Sequence, residues 1–365
     1  MFLIALRNLF GERGRLLITI GGVTFSVILI LILLGLYSGW EKQMTRFTGN
    51  IPADLWVGQA GSGDLSHSIS IIQAVRSEDV SKLGSVTRVS TFVGRQVGTT
   101  IDGQDVHIFV VGVDEDRFIK SYELVEGTDD PALGEIAIDQ VLARQTGLKI
   151  GDTFEVAKTT VKVSGIISGG NILAYTFALV NRADVKNILD LDGLVNYYLV
   201  QTPDPDQATI DIAKQFPDYK VMTKTEFLEN NKSILTETFL PIIKVLLIIA
   251  VLIGIAVIGL TIFTATIEKS REYGVLKALG YTGAQIYGIG LIQSVTAGAI
   301  GFVVGAILAP LFAIAATNIA SGFLYEVSGG QVILVFAAVV GMAIIASFMP
   351  LKRLLVINPA SVFKA

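Results

Sequence analysis

The stretch that decides the fold is residues 16–40, LLITIGGVTFSVILILILLGLYSGW, which has no charged side chain over 25 residues. A charged side chain at the centre of a bilayer costs at least ~2.5–3.5 kcal/mol, and a helix needs ~20 apolar residues to span the hydrocarbon. A second run, residues 245–267, is free of charge over 23 residues. Each run predicts one membrane-spanning helix.

Two further uncharged runs complete this pattern. Residues 278–325 are too many for one span and predict a helix followed by a polar loop, and residues 327–351 contain a last helix. The first run is longer than the ~7–15 apolar residues of a signal peptide, which favours a retained helix over a cleaved leader. We expect transmembrane helix 1 at 16–40, helix 2 at 239–267, helix 3 at 285–316, an outer loop at 317–330 and helix 4 at 331–350.

The composition excludes several other classes of protein. The chain has 365 residues, of which 52% are hydrophobic and 16% charged, whereas soluble domains have about 25% charged residues. Its mean hydropathy is +0.62. A net charge of −4 gives no basis for nucleic-acid binding. With no Cys and two His in no ligand spacing, no metal site is expected.

Basic residues near the spans predict the orientation, because Lys and Arg in short flanks stay on the cytoplasmic side. Three segments are basic, whereas the loop between spans three and four has no Lys or Arg. The basic residues are Arg7, Arg13, Arg15, Lys269, Arg271, Lys277, Lys352, Arg353 and Lys364. We expect a multi-pass protein of the cytoplasmic (inner) membrane, with a cytoplasmic amphipathic segment at 1–15 and a cytoplasmic tail at 351–365.

The segment between the first two spans is expected to fold as a large extracytoplasmic domain, residues 41–238. Residues 38–240 contain 18 Lys and Arg and 28 Asp and Glu, a charge of −10, while the remainder has 10 and 4, a charge of +6. Alternating β-branched residues flank a turn at 101–104, and short helical patterns follow at 139–146, 182–189 and 206–215. The fold class predicted is therefore an α-helical membrane protein with four transmembrane helices and an α+β domain inserted between helices 1 and 2.

The segment between spans two and three has the pattern of a short amphipathic helix. Glu268, Lys269, Glu272 and Lys277 are charged, whereas Tyr273, Leu276 and Leu279 recur at helical spacing and Gly280 can end the helix. An apolar stripe has to be buried against something. On periodicity alone, it could contact a partner protein or lie on the lipid headgroups.

A repeat of small residues marks one face of the third span. Ala297, Gly301, Gly305 and Ala309 recur every four residues, so that a neighbouring backbone can approach closely. The spacing does not distinguish packing within one subunit from packing between two subunits.

The sequence offers no catalytic constellation. A P-loop needs Gly-x-x-x-x-Gly-Lys-[Ser/Thr], and the chain contains no Gly-Lys dipeptide. No Ser/His/Asp arrangement or carboxylate pair has a catalytic spacing. We expect a chain that is not an enzyme and holds no cofactor.

Four segments resemble those of the FtsX-like/MacB-like permeases, the membrane subunits of type VII ABC systems. They are Ala5–Phe10 (ALRNLF) with Arg13 and Arg15, Gly147–Asp152 (GLKIGD), Arg271–Gly280 (REYGVLKALG) and Asn358–Ala360 (NPA). The third is the most specific. Asn358 stands where the family pattern has Asp.

The resemblance implies partners and a role for residues 268–284. Such permeases form homodimers in the bilayer with two cytoplasmic ATPase subunits, which bind ATP and Mg, and a coupling helix docks into the ATPase. An extracytoplasmic adaptor or client protein is a further implied partner. The residues that match the coupling segment are Glu268, Arg271, Glu272, Tyr273, Leu276, Lys277, Leu279 and Gly280.

The function implied is that of a permease subunit which transmits ATP-driven motion of a separate ATPase to the extracytoplasmic domain. Export or extraction of a lipophilic or peptidic cargo fits this role. The alternative is a regulator that transports nothing and uses the same motion to switch an extracytoplasmic cell-wall hydrolase.

Overall fold

The computed structural model describes residues 2–65, 68–114, 118–120, 122–169, 171–172, 175–319 and 324–356. The chain divides into two compact units. The helical unit runs up to Gly39 and resumes at Phe239, and the sheet unit is Trp40–Thr238. The sequence-based prediction places the inserted domain at 41–238.

The helices, in chain order, are α1 Phe2–Gly11, α2 Arg13–Gly49, α3 Ser77–Ser81, α4 Gln140–Thr146, α5 Val185–Leu189, α6 Pro205–Gln215, α7 Lys224–Ile234, α8 Leu240–Glu268, α9 Ser270–Ala278, α10 Gly283–Ile319 and α11 Gly329–Val356. Ala74–Arg76 and Arg182–Asp184 form 3₁₀ turns, and Leu235–Phe239 forms a π-helical turn.

The strands are β1 Leu55–Gln59, β2 Ile72–Gln73, β3 Arg88–Ile101, β4 Gln104–Val113, β5 Glu123–Gly127, β6 Glu135–Asp139, β7 Thr153–Val156, β8 Thr159–Ser168, β9 Asn171–Ile172, β10 Tyr175–Asn181, β11 Leu194–Val195, β12 Tyr197–Gln201 and β13 Tyr219–Thr223. They form a mixed sheet in the order β13-β1-β12-β3-β4-β10-β6-β8-β5, with β7 and β9 pairing off this path, and a short β2–β11 pair.

Local sequence signals explain several of these elements. The turn at 101–104, which the alternating residues on either side indicate to be that of a β-hairpin, is confirmed: β3 and β4 pair antiparallel, and Asp102 and Gly103 adopt φ values of 47° and 78° in the turn between them. Asp139 caps α4 by accepting a hydrogen bond from Val141 N, and Gly147 follows α4 with φ 77°.

The two faces of the large sheet are covered by different elements. Aliphatic side chains from alternate strand positions, such as Val57, Val110 and Val180, form a core with α3, α4, α5 and α6. Because side chains alternate along a strand, the residues between them lie on the opposite face. That opposite face is aromatic.

The helical unit is built around α2, α8, α10 and α11. Within the described residues, four helical segments are long and apolar enough to cross a membrane: Arg13–Gly49, Lys224–Glu268, Gly283–Ala316 and Gly329–Phe348. The prediction of four apolar helices and a mixed α+β insert is confirmed at this level. Val23, Val27, Ile258 and Val339 lie in the shared core.

Candidate functional site

Five consecutive strands of the sheet contribute aromatic rings to the same face, and β10 contributes a second ring, that of Tyr175, which contacts Phe109 and Phe177. The other rings are those of Trp56 on β1, Tyr197 on β12, Phe92 on β3, Phe109 on β4 and Phe177 on β10, and all are buried. Tyr197 lies opposite Phe92, and Phe177 lies opposite Phe109, in register. We call this surface the aromatic face.

Two helices are anchored on the aromatic face by stacked rings. Phe47, near the end of α2, stacks on Phe177 with ring centroids 3.8 Å apart and an interplanar angle of 10°. Phe227 of α7 stacks on Trp56 at 4.0 Å and 10°. Both phenylalanines are fully buried. Burial of a phenylalanine contributes roughly 1.5–3 kcal/mol, and stacking contributes about 0.5–1.5 kcal/mol more.

An ion pair links the same two helices beside the aromatic face. Lys232 Nζ of α7 lies 3.5 Å from Glu41 Oε1 of α2 and 3.1 Å from Glu229 Oε1. The hydrogen bond to Glu229, supported by the charges of Glu229 and Glu41, raises the pKa of Lys232 above its ordinary value. The ammonium is therefore charged at neutral pH and contacts both helices.

The chain passes between the two units at two points, and both lie in helical backbone. The first point, between Gly39 and Trp40, lies inside the uninterrupted helix α2. The second, between Thr238 and Phe239, lies inside the π turn that separates α7 from α8. Pro241 follows in the first turn of α8. π turns of this kind are frequent at functional sites.

At the other end of α8, a cluster of charges joins α9 to the base of α2; we call it the α9 cluster. Arg15 of α2 pairs with Glu12 and lies 3.2 Å from Glu268 Oε2 at the end of α8. Lys269 Nζ lies 3.1 Å from Glu12 Oε1 and 4.0 Å from Glu272 Oε2. The side chains of Arg15 and Lys269 are 17% and 13% exposed, so these bonds are partly shielded from water.

The two faces of α9 have different surroundings. Tyr273 is 4% exposed and lies in the core of the helical unit, with Leu276 packed against that core. Burial raises the pKa of Tyr273, so its phenol stays neutral. On the opposite face, Val275 is 41% exposed and Leu279, just beyond the helix, is 73% exposed.

Two family models match the chain. The model of the FtsX-like permease C-terminal domain matches residues 244–359, and that of the MacB-like periplasmic core domain matches residues 16–213. The chain belongs to the FtsX-like and MacB-like family of ABC transporter permeases. The second match alone covers more than half of the permease.

Relatives that match nearly all of this chain are also described as permeases. An uncharacterized ABC transporter permease of Mycobacterium tuberculosis is 25% identical over 379 residues, covering 100% of this chain and 99% of the relative. The macrolide export ATP-binding/permease protein MacB of Pectobacterium atrosepticum is 24% identical over 391 residues, covering 96% of this chain and 58% of the relative. The crystal structure of the periplasmic region of MacB from Actinobacillus actinomycetemcomitans is similar with a TM-score of 0.38 and 12% identity, covering 54% of this chain and 99% of that one.

The predicted coupling residues of the permease are brought together around α9. Glu268 ends α8, and Arg271, Glu272, Tyr273, Leu276 and Lys277 lie on α9. Leu279 and Gly280 follow α9, and Gly280 adopts φ 93° where the helix ends. The predicted apolar stripe is divided, because Tyr273 and Leu276 pack inward whereas Leu279 points outward.

The small-residue stripe of α10 faces α2 within the helical unit. A Cβ added to Gly301 would lie 2.7 Å from Val23 Cβ, and one added to Gly305 would lie 2.7 Å from Val27 Cγ1. Thr24 Oγ1 donates to Gly301 O at 3.1 Å. Ala297 and Ala309 are buried as well. The glycines thus allow close packing within one chain, which is the intramolecular alternative of the two that the spacing leaves open.

Sequence reasoning missed the aromatic face and most of the α9 cluster. The sequence does contain a recurring pattern for the aromatic face, because Trp56, Phe92, Phe109 and Phe177 each lie between two uncharged strand residues. Arg15 entered the sequence analysis only through the basic flank and the family resemblance, and Glu12 did not enter it. Among the described residues, no three His, Asp or Glu side chains are grouped as metal ligands.

Proposed function

We propose that this permease transmits ATP-driven motion from a separate ATPase to its sheet unit, for the export or extraction of a lipophilic or peptidic cargo. The observation that carries the proposal is that both helices passing between the units end on the one aromatic face, through Phe47 and Phe227. A displacement of either helix along its axis therefore pulls on the same sheet.

The outward face of α9 is the proposed contact with the ATPase. Val275 and Leu279 present apolar surface there, and Arg271 and Glu272 are exposed beside them. Tyr273 is fixed in the core of the helical unit. The pair Arg15–Glu268 links the start of α2 to the end of α8, and Lys269, directly before α9, pairs with Glu12, directly before α2. Motion imposed on α9 is thereby passed to both helices.

The remaining parts of the machine come from outside the chain. ATP and Mg bind the partner ATPase, because the sequence has no P-loop. The permease acts as a homodimer in the cytoplasmic membrane, with α9 and both termini in the cytoplasm and the sheet unit outside. The basic flanks support this orientation.

Reconstitution with the partner ATPase tests the proposal. In lipid vesicles that contain both proteins, replacing Leu279 by Asp should lower ATPase association at least about tenfold, because a carboxylate in an apolar contact loses its hydration. Leu279→Met is the matched control and should associate normally. Equal association of Leu279→Asp and the native chain would contradict the assigned contact.

A second measurement separates transport from regulation. Labels placed at Gln104 in the sheet unit and Gly330 in the helical unit should change their separation when ATP binds. ATP-dependent release of a fluorescent lipopeptide from the same vesicles supports export. If the labels move without any release of cargo, and a cell-wall hydrolase is activated, the result would instead support a regulator that transports nothing.

A further inference from the structure

Residues 69–71 have an inverted pattern of burial, with the polar residue buried and the apolar ones exposed. Ser70 is 1% exposed, while its neighbours Ile69 and Ile71 are 80% and 42% exposed. Ser70 is held inward because its Oγ accepts a hydrogen bond from Gln59 N at 2.9 Å and lies 2.5 Å from Asn196 O. Ser70 and its buried partners thus leave the two neighbouring isoleucines exposed, and Val75, four residues after Ile71, is 66% exposed.

Ile71 forms one wall of an open cleft of about 600 Å³. Ile72, Leu194, Pro217 and the ring of Tyr219 form the other apolar walls. The amide side chains of Gln59 and Gln73 line the same cleft. A volume of this size lies within the ~300–1,000 Å³ typical of ligand-binding clefts.

The cleft carries one charge of each sign. Arg76 and Asp218 both line it, and neither makes an ion pair with another residue in the part of the chain that the structure describes. Mixed donors, acceptors and charges around apolar walls are complementary to a polypeptide, which offers amides and side chains of both signs. A lipid tail or a simple anion would leave half of these groups without a partner.

The backbone next to the cleft also suits a polypeptide. β13 lies at the end of the sheet, and Ala60 N donates to Asp218 O while Lys224 N donates to Asp54 O. Because backbone groups alternate in direction along a strand, the N–H and C=O of Val221 point away from β1. This is the direction in which an extended segment adds to a sheet.

We propose that the cleft beside β13 docks an extended segment of a partner protein, with an apolar side chain between Ile71 and Tyr219 and charged side chains on Arg76 and Asp218. The cleft lies in the sheet unit and shares no residue with the aromatic face or the α9 cluster. Docking here goes beyond the proposed transmission function and does not depend on it.

Peptide selection on the full chain tests this proposal. A phage-displayed library of random short peptides is panned on the permease in lipid nanodiscs, with counter-selection on empty nanodiscs. Recovered peptides are then measured by fluorescence anisotropy. We expect Ile71→Asp and Arg76→Glu each to weaken binding at least about tenfold, because one places a carboxylate in the apolar wall and the other reverses the charge.

Leu133→Asp provides the matched control, because Leu133 is 68% exposed and precedes β6, well along the sheet from β13. It should bind the peptides as the native chain does. Unchanged binding to both cleft variants, or failure to recover any peptide that prefers the native chain, would overturn the proposal. Binding of a fluorescent fatty acid at the cleft in place of peptides would also overturn it.

Discussion

The two passages of the chain between its units are built differently. α2 continues as one α-helix from Arg13 to Gly49, whereas α7 and α8 are separated by the π turn Leu235–Phe239. A regular helix resists bending, while a π turn is a common cause of a bend. Both passages nevertheless end in stacked rings on the same sheet. We infer a stiff connection through α2 and a hinged one through α7 and α8.

The largest effect is expected from removing either anchor. Phe47→Ala and Phe227→Ala should each destabilise the sheet unit by roughly 3–5 kcal/mol, because each leaves a cavity in a fully buried stack. Hydrogen–deuterium exchange should show faster exchange of β10 amides in the first variant and of β1 amides in the second. Phe10→Ala serves as the control, since Phe10 is 52% exposed on α1. If only one of the two variants showed faster amide exchange, the helix of the other variant would not be held by its ring.

Alkaline pH should loosen the α7 anchor. Burial raises the pKa of Tyr197, whose ring lies 5.1 Å from that of Phe227, from 10.0 to about 12. Between these values the unfolded chain has lost the phenolic proton and the folded chain retains it, so stability falls as pH rises. Urea midpoints from pH 8 to 12 should decline less steeply in Tyr197→Phe than in the native chain. An equal decline of the urea midpoint with pH in Tyr197→Phe and in the native chain would contradict the raised pKa of Tyr197.

A glycine substitution distinguishes the two connections directly. Lys42→Gly in α2 should cost about 1 kcal/mol of helix stability and reduce the ATP-driven movement between labels at Gln104 and Gly330. Glu237→Gly lies in the π turn, whose hydrogen bonding already departs from that of a regular α-helix, and should leave the movement nearly unchanged. Both native side chains are exposed, which makes the pair well matched. A larger loss from Glu237→Gly would reverse the assignment of the stiff and hinged helices.

The smallest effect is expected from the ion pair between the helices. Glu41→Gln should cost less than about 1 kcal/mol, since Lys232 and Glu41 are partly exposed and are screened by salt. The pKa of Lys232 is raised, chiefly by its hydrogen bond to Glu229. The contribution should therefore be constant at neutral pH and be lost as pH rises above the ordinary lysine value of 10.5. Thermal unfolding of Glu41→Gln and Glu229→Gln across pH 7–12 measures it.

The charge map was sufficient to find the apolar helices but not their ends. An uncharged and strongly apolar run of about 20 residues is long enough to span a bilayer as a helix, so residues 16–40 identified α2. The helix nevertheless continues to Gly49, because Glu41 to Gly49 contains no helix-breaking residue before its last position. Hydropathy marks the position along the chain at which charged residues begin. The end of a helix is determined instead by its capping residues and packing contacts.

The aromatic face and the π turn depend on contacts that a single sequence does not encode locally. Trp56 and Tyr197 meet only because β1 pairs with β12, which lies far along the chain. Similarly, the inward position of Tyr273 depends on the core of the helical unit rather than on the spacing of Tyr273, Leu276 and Leu279. Periodicity identified an amphipathic helix but not which side its own chain would cover.

The most direct test of stiff and hinged connections is the distance across each of them, measured by pulsed electron paramagnetic resonance. The chain has no cysteine, so spin labels at Phe25→Cys with Lys42→Cys report on α2, and those at Thr225→Cys with Ile242→Cys report on the π turn. Each pair spans the same number of residues, about 26 Å in an ideal helix. With the partner ATPase and ATP, the first distance should stay constant and the second should change. A change in the α2 pair with none across the π turn would contradict the account.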